Sequence, residues 1–115
     1  MFPPPEETEI TPAELQALLE TEASPAFHLI DCREEDEFVI CRIEDSTLIP
    51  LSRFAEDGPA FIEATPRPTV VLCHHGMRSM NATMYLREKG FEQVWSLVGG
   101  IDLWSTQIDS DVPRY

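Results

Sequence analysis

The run TVVLC, Thr69 to Cys73, passes through HHGM into RSMNATMYLREKG, and this junction constrains the fold more than any other stretch. Thr69 to Cys73 is uncharged and rich in β-branched residues, which marks a buried strand. The segment after it reads as a helix, with Gly90 placed to cap its end and Arg87 and Lys89 complementing its dipole. A strand that feeds a helix across so short a connection is half of a parallel β-α-β unit.

Other segments repeat the alternation. SPAFHLID gives a proline-containing turn at Ser24-Pro25 and a short apolar strand ending at Asp31. STLIP gives another strand stopped by Pro50, and FEQVWSLVGG a further strand entering a turn. Between them lie helical signals. Thr11 is an N-cap with Pro12 in the first turn and Glu14 completing a capping box; Leu15, Leu18 and Leu19 share one face and are expected in the core. Glu34 to Val39 suits a single helical turn. LSRFAEDGPAFIEAT contains helical pieces that Gly58-Pro59 is expected to break in two, and GIDLWSTQI reads as a last short helix. The expected fold is α/β, a parallel sheet with helices on both faces. Residues 1–9, MFPPPEETE, read as a flexible, solvated Pro/Glu-rich leader, and residues 10–115 as one domain.

With 115 residues, 43% of them hydrophobic, the chain can bury one modest core. Its net charge of −13 argues against nucleic acid or an anionic membrane as partner, since phosphate binding needs clustered Lys and Arg. The same charge could steer a basic partner protein, and it would repel an anionic substrate at long range. No basic segment followed by an apolar run is visible at the N-terminus, and three cysteines, Cys32, Cys41 and Cys73, form no disulfide framework. A reducing cytoplasm is therefore the expected location.

In a parallel α/β sheet, ligands gather beyond the carboxyl ends of the strands, where Cys73 lies. Gly76 allows His74 to Met77 to curl so that backbone N–H groups point inward, forming an anion-binding nest at a helix N-terminus. A thiol over such a nest ionises readily, and Arg78 adds a forked positive charge suited to an oxyanion. The pattern fits a sulfur nucleophile; it equally fits a buried strand-end cysteine at an ordinary turn. A metal site is not expected, because Cys73, His74 and His75 are adjacent and no CxxC pair occurs. No cofactor is implied. His28, within an apolar run, is read as structural.

Four segments, LIDCREEDEF, TLIPLSRF, VVLCHHGMRS and VGGIDLW, resemble in order and spacing the single-domain rhodaneses, a sulfurtransferase family. The resemblance implies a five-stranded parallel sheet and a nucleophile at Cys73. That cysteine would carry a sulfane sulfur as a persulfide from a small sulfur-containing donor to cyanide or a thiol. It further implies that His74, His75, Gly76, Met77 and Arg78 form the persulfide cradle, with Arg78 facing an anionic donor. Asp31, Arg33 and Ser79 would support the site. Gly99 and Gly100 match the family's final turn, and Trp104 is expected in the core.

Cys41-Arg42-Ile43 departs from the Gly-His-Ile common in the family, which leaves the local turn and any role of Cys41 or Cys32 open. Two alternatives accompany the resemblance: a docking or sulfur-relay module that binds a protein partner, and a phosphatase. Related dual-specificity phosphatases place one more residue in the loop than the four between Cys73 and Arg78, which favours sulfur.

Overall fold

The computed structural model describes residues 2–21 and 26–115, so the expected turn at Ser24-Pro25 lies outside the described residues. Five strands, β1 (Glu9–Ile10), β2 (His28–Asp31), β3 (Thr47–Leu48), β4 (Thr69–Leu72) and β5 (Val94–Leu97), form one sheet in the order β1-β5-β4-β2-β3. Every pairing is parallel. All residues of β2, β4 and β5 are buried, which follows from covering both faces of a parallel sheet.

The helices are α1 (Pro12–Glu20), α2 (Glu35–Ile40), α3 (Phe54–Ala64), α4 (Met77–Glu88) and α5 (Gly100–Gln107). Side-chain alternation sorts the strands between two cores. Leu29, Val70, Leu72, Trp95 and Leu97 pack with Leu15 and Leu18 of α1 and Ile101 and Trp104 of α5. Ile30, Val71, Cys73 and Val94 pack with Phe54 and Ile62 of α3 and Ala82 and Leu86 of α4. Cys32 and Cys73 therefore share the second core.

The capping box at the start of α1 forms as expected: the Glu14 N–H donates to Thr11 Oγ1 at 3.1 Å and the Thr11 N–H to Glu14 Oε1 at 2.9 Å. Leu19 departs from its expected place in the core and is 40% exposed, because the buried face of α1 is Pro12, Leu15 and Leu18. Gly58-Pro59 does not break α3, which runs unbroken from Phe54 to Ala64. Pro59 lacks the N–H that would satisfy the Ala55 carbonyl one turn back. The Tyr85 hydroxyl of α4 donates to that carbonyl instead, at 3.0 Å.

The segment before α1, expected as a solvated leader, is seated on the domain. Phe2 stacks on Trp95 with centroids 5.4 Å apart, and the Trp95 indole N–H donates to the Pro4 carbonyl at 3.3 Å. Arg87 donates to the carbonyls of Pro5 and Glu7. Glu9 and Ile10 then pair with Ser96 and Leu97 as the sheet's edge strand.

The turn between β5 and α5 locks the loop that follows β4. The N–H of Ile101 donates to the Cys73 carbonyl at 2.8 Å, and that of Asp102 to the His74 carbonyl at 3.1 Å. Gly100 makes this approach possible: its φ is +61°, and a Cβ there would collide with the Cys73 and His74 carbonyls. Gly76 also has positive φ, +107°, but a Cβ there would meet its nearest atom at an ordinary 3.5 Å. Gly100→Ala is therefore expected to cost more than the ~1–3 kcal/mol of a strained backbone alone, and Gly76→Ala to stay within it. Urea unfolding of both variants measures the difference.

Candidate active site

Asp31 closes β2 and is registered against Leu72 of β4, so Cys32 and Cys73 follow side by side at the carboxyl edge of the sheet. The Cys32 N–H continues the ladder to the Leu72 carbonyl at 2.9 Å. Beyond Cys73 the chain turns through His74 and His75, and Gly76 caps α4 in a left-handed conformation. This brings the Gly76 N–H to 3.0 Å and the Ser79 N–H to 3.3 Å from Cys73 Sγ, with Ser79 Oγ at 3.5 Å. Ser79 is fixed in turn by Ser96 Oγ of β5, 2.7 Å away. The sulfur thus faces a ring of donors, but of His74, His75, Gly76, Met77 and Arg78, expected to cradle it, Gly76 alone bonds to it, and Ser79, expected as a supporting residue, supplies the rest.

These donors shift the thiol strongly. Hydrogen bonding from Cys32, then from the Ser79 hydroxyl and the Ser79 and Gly76 amides, holds Cys73 down at about 4 against the opposing effect of burial. Cys32 moves the other way: its hydrogen bond to Cys73, with burial, pushes its thiol up, so it stays protonated. One sulfur is set as thiolate and its neighbour as donor. Neither the adjacency of Cys32 nor its role was evident in the sequence, since it depends on the β2–β4 register.

Asp31 and Arg33 form a fully buried ion pair with Nη2 to Oδ2 at 2.7 Å. Burial works against the guanidinium's charge, but Asp31 and Tyr115 outweigh it and raise Arg33 further. Arg33 also donates to the Cys41 carbonyl at 2.6 Å and the Glu37 carbonyl at 3.3 Å. Cys41, at the expected departure from Gly, takes an extended conformation with φ −163°, which any residue adopts. The open question about that turn is thereby answered. Arg42 sits over the Phe38 ring, 4.7 Å from its centroid.

Arg78 is partly exposed and already paired. Its fork grips Glu37, Nη1 to Oε1 at 2.6 Å and Nη2 to Oε2 at 2.9 Å, and this pairing holds the Glu37 carboxyl down at about 2. Tyr115 donates its hydroxyl to Glu37 Oε2 and accepts from Arg33 Nη1, both at 2.8 Å. Its ring stacks on His74 at 3.9 Å, and His74 on His75 at 3.9 Å. Glu37 and Tyr115 were missed in the sequence because 41 and 37 residues separate them from Arg78.

His74, His75 and Asp102 bring ligand-type atoms within 4.8 Å of one another. The two imidazoles are stacked with their planes 28° apart. Asp102 is moreover engaged by Arg114 at 2.8 Å. Burial, with the neighbouring His75, lowers His74 and keeps it neutral at neutral pH. His28 is structural: its Nε2 lies 2.7 Å from the Thr65 carbonyl. Met77 projects outward, 80% exposed, beside an open cleft formed with His75, Met80 and Gly99.

The model for the Rhodanese-like domain matches residues 11–107. The chain belongs to the rhodanese-like family. It is 37% identical over 117 residues to a Zea mays protein named adenylyltransferase and sulfurtransferase MOCS3-1, covering 96% of this chain and 24% of that protein. It is 34% identical over 107 residues to the thiosulfate sulfurtransferase GlpE of Pseudomonas fluorescens, covering 91% of each. A rhodanese-related protein from Thermoplasma volcanium superposes with a TM-score of 0.74 at 27% identity, covering 88% of this chain and 93% of that one. The chain spans about a quarter of the length of the first relatives it matches. Its five-stranded parallel sheet is the rhodanese-like fold that the resemblance implied.

Two outcomes follow from this geometry. Alkylation of Cys73 by iodoacetamide is expected to stay fast from neutral pH down to about pH 5 and to fall through a midpoint near 4. A depressed pKa means the thiolate exists above it and is lost below; because Glu37 remains ionised to about 2, one titration dominates the profile. Asp31→Ala leaves Arg33 buried and uncompensated, and is expected to lower unfolding free energy in urea by about 3–5 kcal/mol.

Proposed function

We propose that this domain is a sulfurtransferase working by double displacement through Cys73. The thiolate attacks the sulfane sulfur of a donor and breaks its S–S bond. Thiosulfate leaves Cys73–S–S⁻ and releases sulfite, while a persulfide R–S–SH leaves Cys73–S–SH, which gives its proton to water, and releases R–S⁻. A thiophilic acceptor, cyanide or a thiol, then takes the outer sulfur and returns the thiolate. One observation carries this reading: a buried sulfur surrounded by hydrogen-bond donors and held ionised well below the ordinary thiol range. The amides of Gly76 and Ser79 stabilise negative charge on Cys73 sulfur before attack and after transfer. Ser79, anchored by Ser96, keeps the donors aimed. Asp31 and Arg33 hold the strand end from which the loop departs.

A relay role, with a protein as donor or acceptor, is supported by the match to one part of a longer protein named an adenylyltransferase and sulfurtransferase. The high negative charge would favour a basic face on that partner. Free thiols at all three cysteines suit a reducing compartment such as the cytoplasm. Among the described residues, no helix is long and apolar enough to cross a membrane. Phosphatase chemistry has less support, because the fork a phosphoryl group would need is filled by Glu37.

Intact mass spectrometry after incubation with thiosulfate, and separately with cysteine persulfide, tests the proposal. A gain of about one sulfur atom is expected, removed by cyanide and absent in Cys73→Ser. Sulfur transfer retained in Cys73→Ser would end the reading.

A further inference from the structure

Arg78 is the cation of the Cys73 loop, and it already holds an anion. Each of its two terminal nitrogens gives one N–H to Glu37 in a fork-to-fork pair, at 2.6 and 2.9 Å, so that edge of the guanidinium is occupied. The carboxylate itself is saturated: Oε1 also accepts the Glu34 N–H at 3.1 Å, and Oε2 the Tyr115 hydroxyl at 2.8 Å. The second guanidinium nearby, Arg33, is fully buried and spent on Asp31, Cys41, Glu37 and Tyr115. His74 is neutral and stacked between His75 and Tyr115. Among the described residues around the loop, Arg33 and Arg78 are thus already paired within the domain, and His75 lies 3.8 Å from Asp102.

The two donor classes place different demands on such a site. With thiosulfate, Cys73–S⁻ attacks the outer sulfur, the S–S bond breaks, and sulfite leaves with both electrons of that bond and a double negative charge. That end of the donor needs a cation. With a persulfide R–S–SH, the attack forms Cys73–S–SH and expels R–S⁻, so the leaving group carries one charge on a single sulfur. Thiosulfate must pull Arg78 from a carboxylate that is bidentate, partly buried and held by two further donors. A persulfide meets no such competition.

Resting on the sulfurtransferase reading, we infer that Glu37 is a specificity-determining residue: it fills the anion receptor of the loop, disfavours dianionic donors, and assigns the site to persulfide donors. Glu37 touches neither Cys73 nor its sulfur in this arrangement; it acts through Arg78.

The test compares steady-state kinetics of the wild type and Glu37→Gln with thiosulfate and with cysteine persulfide, cyanide being the acceptor throughout. Gln keeps the size and the capping contact but removes the competing charge. The expected result is a KM for thiosulfate lower by about tenfold with kcat changed little, and a KM for cysteine persulfide altered by less than about twofold. In an Arg78→Gln background the Glu37→Gln gain should disappear. An unchanged or raised thiosulfate KM in Glu37→Gln overturns the inference, while persulfide seen on Cys73 by mass would leave the sulfurtransferase reading standing. Absence of sulfur on Cys73 from either donor overturns both. Should Glu37→Gln not fold, the wild type alone decides: kcat/KM at least about tenfold higher for the persulfide is expected, and equal efficiencies overturn the assignment.

Discussion

Arg33 is the group on which the functional end of the domain depends. A guanidinium removed from water costs several kcal/mol unless its donors are met, and here they are met by four residues from three parts of the chain. Asp31 fixes it to the end of β2, the Glu37 and Cys41 carbonyls draw α2 down onto it, and the Tyr115 hydroxyl brings in the far end of the chain. Glu37 is held at both of its ends: its backbone carbonyl by Arg33 and its carboxylate by Arg78. Two arginines, one buried and one half-buried, so turn a helix of six residues into a rigid bracket between the sheet and the Cys73 loop.

Cys73 is held in a balance between opposed effects. Burial alone would keep Cys73 a thiol. Cys32, together with the Ser79 hydroxyl and the Ser79 and Gly76 amides, reverses that outcome, while the same contact with Cys73, aided by burial, keeps Cys32 protonated. The reversal demands that the loop not drift, and it is pinned on both sides. Ser79 is tied to β5, and α5 donates its first amides to the loop's carbonyls.

What the sequence made legible was local. TVVLC and the glycine after two histidines announced strand, loop and helix within a dozen residues, and Thr11 with Glu14 announced the first helix by its cap. The same segment placed Cys73 at the sheet's carboxyl edge. Features formed by distant partners were not legible. β1 has two residues, too few for periodicity, and exists because β5 lends it a ladder. The continuity of α3 past Pro59 rests on a hydroxyl 30 residues away. Residues 2–8 look like a solvated proline run until Trp95 and Arg87 supply the donors that seat them. Arg78 signalled a waiting anion receptor, and nothing near it in sequence disclosed that Glu37 already fills it.

The alternation of β4 has one more consequence. Val71 and Cys73 face the core of α3 and α4, while Val70 and Leu72 face that of α1 and α5, yet the Cys73 carbonyl is bonded to the start of α5. The sulfur belongs to one layer of the domain and the backbone that carries it to the other. Its ionisation is therefore a joint property of both layers, and loosening of either one registers at a single atom. A domain of this size has little interior to spare; it has placed this sulfur at the seam where its two halves meet.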